Sequence, residues 1–218
     1  MIFALVGAHR VGKTTLASAF ADATGAKFLP MSLSAVQKEI GFDSSNQSYS
    51  FDERMKVQEY LIERMDEIYE KHYGEDVIAD RSPIDLIAYA MVHVGEHTTD
   101  EQSKRLERFI ERCIEVAETH CVGCLLVQPG IQLVESETSA KCSKGFIEHL
   151  NSLCFGLIND ERLINVPMYY MPRATLLLDE RVNVVKNAVA RATARNKSRH
   201  FPAPKAKEGH FVATQVIQ

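Results

Sequence analysis

The sequence predicts an α/β fold in which a mostly parallel sheet is covered by helices on both faces. Apolar runs of strand length alternate with stretches of helical periodicity along most of the 218 residues. The first strand and helix enclose the glycine-bearing segment "GAHRVGKTT", residues 7–15. A composition of 45% hydrophobic and 25% charged residues fits one globular domain with an ample core. No run approaches the ~20 apolar residues of a membrane span.

The elements follow in order. "IFALV" at 2–6 reads as a buried strand, and "TLASAFADATG" at 15–25 as the helix behind the loop. "AKFLP" at 26–30 is a short strand closed by proline, and the Gly, Asn, Asp and Ser cluster of "GFDSSNQSYS" at 41–50 is a loop. Residues 51–72 carry Met55, Leu61, Ile62, Met65, Ile68 and Tyr69 at helical spacing, a long amphipathic helix. "DVIAD" at 76–80 is a strand ending in a carboxylate; Ser82 then caps a helix over 82–95 with Pro83 in its first turn. A second long helix covers 100–120, "CVGCLLVQPG" supplies a strand from 121, and a helix follows at 145–160. "RLINVP" at 162–167 is expected to be the last strand. Asp179 is expected to cap the last helix, 179–195, with Glu180 in its first turn. The domain thus spans 1–195, and 196–218 form a polar, basic and flexible tail.

Five cysteines, Cys113, Cys121, Cys124, Cys142 and Cys154, give no even disulfide framework, and "HCVGC" runs directly into a strand, so buried inert thiols are expected. A strand beginning at residue 2 leaves no room for a signal segment, so the expected location is the cytoplasm. The net charge of −4 argues against a surface wholly devoted to nucleic acid. Locally, Arg181, Lys186, Arg191, Arg195, Lys197 and Arg199 occur with no acidic residue from 181 to 200, so DNA contact through the last helix and tail is a further expectation. A homodimer is compatible with the chain, and no membrane partner is expected.

The spacing in residues 7–15 is that of G-x-x-x-x-G-K-[ST] in the required strand-then-helix setting. Gly7 and Gly12 permit backbone conformations that turn successive N–H groups inward as an anion nest. Lys13 reaches the β- and γ-phosphates, the Thr14 hydroxyl serves Mg²⁺, Thr15 bonds a more distal phosphate, and Arg10 is a cation within the loop. The chain is therefore expected to bind a nucleoside triphosphate. The second informative stretch is "VIADRSPIDLIAYA". Asp80 ends a strand and Arg81 follows, so a carboxylate for Mg²⁺ or proton transfer and a guanidinium for phosphate can project beside the loop.

"GAHRVGKTT" and "DRSPIDLIAYA" together resemble the nucleoside and nucleotide kinases of the thymidylate kinase and deoxynucleoside kinase group. The resemblance covers about the first 95 residues. The pattern is also similar to ribosylnicotinamide-kinase-like ATPases and small phage-type kinases. It implies the three-layer P-loop NTPase fold with a five-stranded sheet ordered 2-3-1-4-5, and ATP and Mg²⁺ as cofactors. It places Lys13, Asp80, Arg81 and Arg10 in the chemistry, with Thr14 and Asp80 on the metal. The acceptor pocket falls between the loop at 41–50 and the helix at 51–72. Arg54 and Gln58 share a face of that helix and can grip a phosphate and read a base edge. Phe51 and Tyr89 are the aromatic residues placed to stack on a base. The lid, "QPGIQLVESETSAKCSKGF", departs from the arginine-rich lids of the group, its only cations being Lys141 and Lys144.

The expected activity is transfer of the γ-phosphate of ATP to a nucleotide, a (deoxy)nucleoside monophosphate first. A nucleoside or a hydroxymethylated base in DNA are alternative acceptors. A non-kinase ATPase, with "ATLLLDE" as strand and Asp179 and Glu180 as its metal and water-activating pair, is the rival. The missing guanine-reading N-K-x-D argues against a GTPase.

Overall fold

The computed structural model describes residues 1–31, 36, 39–42, 49–132 and 143–197. Five strands form one sheet: β1 (Ile2–Val6), β2 (Lys27–Leu29), β3 (Val77–Ala79), β4 (Cys121–Val127) and β5 (Met168–Met171). Their order is β2-β3-β1-β4-β5, and every pairing is parallel. All residues of β1, β3 and β4 are buried, so these runs are apolar throughout instead of alternating, as a sheet covered on both faces requires.

Six helices among the described residues supply the covering layers: α1 (Lys13–Thr24), α2 (Phe51–Lys71), α3 (Pro83–Met91), α4 (Asp100–His120), α5 (Lys144–Leu157) and α6 (Leu178–Lys197). α1 packs with α6, while α2, α3, α4 and α5 pack with one another. The starts are set by side chains. Ser50, Ser82 and Thr99 each accept from the N–H three residues on, and the residue there bonds back, completing capping boxes on α2, α3 and α4. Met55, Leu61, Ile62, Met65 and Tyr69 form the buried stripe of α2. Between α2 and α4, Arg105 binds Glu59 through two bonds at 2.7 and 2.8 Å and Asp52 through a third at 2.9 Å.

Three expectations need correction. The last strand is Met168–Met171, not 162–167. Asp160 accepts from Arg162 N at 2.9 Å and starts a 3-10 turn over Glu161–Leu163 instead. Leu163 and Val166 are buried while Ile164 is 68% exposed, a spacing of three that no strand gives. The last helix begins at Leu178, with Arg181 N bonded to Leu177 O, so Asp179 lies inside the first turn and does not cap it. Asp179 and Glu180 still complement the helix dipole from there. The "ATLLLDE" segment is not a strand: Leu176, Leu177 and Leu178 are exposed, and the run enters α6 directly. A hydrolytic ATPase built on it loses its structural premise.

Cys113, Cys121, Cys124 and Cys154 are buried free thiols, the middle two inside β4, and Cys142 falls outside the described residues. The Cys121 contact and burial push the Cys124 thiol well above its ordinary pKa, and burial does the same to Cys113. Among the described residues no helix is long and apolar enough to cross a membrane.

Candidate active site

The loop between β1 and α1 is shaped by its two glycines. Gly7 has φ of 140°, and a Cβ there would lie 2.6 Å from Val127 O, so β4 closes against the loop only because no side chain intervenes. Gly12 precedes α1 in the left-handed region at φ 83°, with no side chain capping the helix. The N–H groups of the first turn are thereby left to an anion, in line with the helix dipole. Thr14 and Thr15 begin that turn at the exposed mouth. Arg10 adopts φ of 64°, a conformation unusual for a residue with a Cβ, in the middle of the loop.

Lys13 is 5% exposed and folds back over the loop. Its Nζ donates to Gly7 O and to Ala8 O, the latter at 2.8 Å, and lies 3.7 Å from Asp85 Oδ1. Burial lowers its pKa to about 8 against the opposing pull of Asp85. Asp85 organises the cradle from behind. Oδ1 accepts from Gly7 N at 2.9 Å, and Oδ2 accepts from Ser82 N at 2.8 Å and Ser82 Oγ at 2.9 Å. At 1% exposure this carboxylate joins the loop to the N-terminus of α3. Asp85→Ala is expected to lower folding stability by about 3–5 kcal/mol, because it strands a buried lysine and two buried N–H donors. Denaturant unfolding without nucleotide measures the effect.

Asp80 stands one residue beyond β3. Its Oδ2 accepts from the Thr14 hydroxyl at 2.6 Å, and its Oδ1 accepts from Met31 N at 2.9 Å. Two hard oxygen donors side by side at a strand end, one held by a second bond, fit Mg²⁺. Arg81 follows, its own carbonyl accepting from the Tyr69 hydroxyl at 2.8 Å. The guanidinium is hydrogen-bonded to the side chain of Tyr89, and its Nη1 is buried with no partner among the described residues. Desolvation works against its charge, yet Asp85, Tyr89 and Asp80 together raise its pKa. Tyr89 in turn lies 2.6 Å from His9 Nδ1, and the His9 ring sits against Tyr89 and Phe146 at 6.1 and 5.6 Å. Burial, reinforced by Lys13, Arg81 and Arg10, lowers His9 to about 4. Burial likewise raises Tyr89 to about 12. His9 is therefore neutral near pH 7, with Nδ1 an acceptor for the Tyr89 hydroxyl.

The structure thus gathers Gly7, Gly12, Lys13, Thr14, Asp80, Arg81 and Tyr89. Other expected residues stand further out. Arg54 donates from Nε to Tyr49 O at 3.2 Å, with its guanidinium 6.0 Å from the Tyr49 ring, and its charge helps lower His93. Gln58 keeps a buried Oε1 with no partner among the described residues. Phe51 opens α2 and packs partly buried against the core. Tyr89 is linked to His9 and Arg81 through its hydroxyl. Lys144 is exposed at the start of α5, and Lys141 lies outside the described residues. Of the basic cluster, Arg181 is 4% exposed and leaves the surface altogether. Arg191 stands over the Tyr169 ring at 5.8 Å, Arg195 donates to Ile164 O at 3.3 Å, and the tail beyond 197 is outside the described residues.

Sequence reasoning missed Asp85 and His9 as parts of the site. The Ser82-to-Asp85 spacing is a capping-box signature and marks the helix start, though not the bond to Gly7.

Five parallel strands in this order, with a phosphate loop after the first and a carboxylate after the third, give the P-loop fold shared with nucleoside and nucleotide kinases. A family model described as an AAA domain matches residues 2–123, and the chain belongs to that family. It is similar to thymidylate kinase from Candida albicans (TM-score 0.58, 12% identity, 89% of this chain and 92% of that one). A deoxyadenosine kinase from M. mycoides gives 0.52 and 12% over 88% and 100%. NadR, in complex with NAD and AMP-PNP, gives 0.58 and 15% over 96% of this chain and 51% of that one. No curated protein matches by sequence. At such identities the likeness is one of fold.

Proposed function

We propose that the chain is a phosphotransferase that moves the γ-phosphoryl group of ATP to a nucleotide, with a (deoxy)nucleoside monophosphate as the preferred acceptor. The observation that carries this reading is the meeting of Asp80 with Thr14 beside Arg81, whose Nη1 is buried and has no partner among the described residues. A guanidinium nitrogen kept dry without an acceptor calls for an anion, and a planar fork suits phosphate. The neighbours named thymidylate kinase and deoxyadenosine kinase support the substrate class.

ATP would supply the transferable phosphoryl group, and Mg²⁺ would supply positive charge to offset that of the phosphates. Gly7, Gly12 and the first turn of α1 hold the phosphates, and Lys13 turns from its loop carbonyls to the β- and γ-oxygens. Thr14 and Asp80 would hold the metal, and Arg10 adds charge to the loop. Arg81 holds the acceptor, with Arg54 and Gln58 on α2 and Lys141 and Lys144 from the lid as outer contacts. The bond from the γ-phosphorus to the β–γ bridging oxygen breaks as one to the acceptor oxygen forms. ADP departs with the former bond's electron pair, and a hydroxyl acceptor would give its proton to Asp80. Residues 1–195 carry all of these groups.

Incubation of the protein with γ-labelled ATP, Mg²⁺ and a panel of nucleosides and nucleoside monophosphates tests the reading. Label in at least one monophosphate is the expected result, and none in any acceptor defeats it.

A further inference from the structure

Arg181 is 4% exposed in the first turn of α6, 170 residues from the loop it touches. Its Nη2 donates to Val11 O at 2.8 Å, and its Nε approaches Met171 Sδ at 3.3 Å. Among the described residues no carboxylate pairs with it, and burial alone drives its pKa below the ordinary guanidinium value. A buried cation with only neutral acceptors is unfavourable, and the positive end of a helix dipole makes its position worse. Packing gives no reason for an arginine here, since a methionine or leucine would fill the space without either penalty.

The loop gives a reason. Val11 C=O and Gly12 N–H belong to one peptide, and no peptide among the described residues is cis, so the two groups point in opposite directions. A carbonyl drawn outward onto Arg181 turns the Gly12 N–H toward the hollow where phosphate is cradled. The guanidinium also lies against that glycine: a Cβ on Gly12 would be 3.2 Å from Nη1. We propose that Arg181 is a positioning residue for the triphosphate of the donor nucleotide, fixing the Val11–Gly12 peptide with its N–H inward and placing a positive charge directly behind the phosphate loop. This rests on the loop binding a nucleoside triphosphate and is independent of the acceptor.

The test measures ATP affinity by calorimetry without acceptor, the melting temperature without nucleotide, and the shift of the Gly12 amide resonance on adding ATP. Arg181→Met is expected to weaken ATP binding about tenfold or more, because a fixed charge and a fixed donor are lost from a low-dielectric site. Its melting temperature without nucleotide should match or exceed that of the wild type, and the Gly12 amide should lose its response. Arg181→Lys restores the charge and should recover most of the affinity. Binding by Arg181→Met within about twofold of wild type overturns the inference. So does a Gly12 amide that still responds as in wild type. Should the methionine variant fail to fold, Arg181→Gln decides: it keeps a donor without the charge, weaker ATP binding supports the inference, and unchanged binding overturns it. A wild-type chain that binds no ATP would fail the functional reading itself, a separate and visible result.

Discussion

Asp80→Asn is expected to reduce phosphoryl transfer by at least about a thousandfold, the largest single effect in the molecule, since an amide neither balances metal charge nor takes a proton. The fold should survive, because an asparagine retains an oxygen for Met31 N or the Thr14 hydroxyl, two bonds that now orient the carboxylate. Glu180→Gln is the matched control. That residue is exposed in the first turn of α6, so its loss costs at most a few tenths of a kcal/mol of dipole interaction and leaves turnover near wild type. Initial rates of the two variants under saturating ATP check both statements. The opposite pattern, with Glu180→Gln inert and Asp80→Asn active, would move the chemistry to the far end of the chain.

Lys13→Ala is expected to lower turnover by about a hundredfold or more, the ~3 kcal/mol typical of a preorganised charge that acts on the transferring group. A pH dependence accompanies it. The pKa of Lys13 is lowered from 10.5 to about 8 by desolvation, so the free protein loses that charge as pH rises through 8. Bound phosphate favours the charged form, so ATP affinity should fall by up to about tenfold per pH unit above 8, until the pKa of the complex is reached. The stability of the nucleotide-free fold moves the other way. Its pKa is depressed on folding, so the unfolded chain binds the proton more tightly, and stability rises with pH between 8 and 10.5. Calorimetric titration of ATP between pH 7 and 9.5 shows the first effect, and Lys13→Ala should flatten it.

What could be read from the sequence was local in the chain. The phosphate loop announces itself because its glycines, lysine and threonines lie within nine residues and each has a fixed duty. Asp80 and Arg81 were legible because they follow an apolar strand, and the strand end sets where they point. β5 was misplaced because "RLINVP" is apolar enough for a strand, while the Asp160 turn and Pro167 redirect it, and the pairing with β4 that makes Met168–Met171 a strand is non-local. Asp85 was half legible: its helix-start spacing shows, but the bond to Gly7, 78 residues away, does not. His9 and Arg181 gave no signal, since one needs Tyr89 and the other needs Val11 brought to it by the fold. Arg181 looked like one cation in a basic helix face, and only burial distinguishes it from Lys186 and Arg191.

The destination of the γ-phosphate separates transfer from hydrolysis. With γ-labelled ATP and Mg²⁺, label is expected in a nucleoside monophosphate acceptor, in amounts equal to the ADP formed, with little ADP when the acceptor is omitted. ADP and free phosphate released at the same rate with or without any acceptor would contradict it.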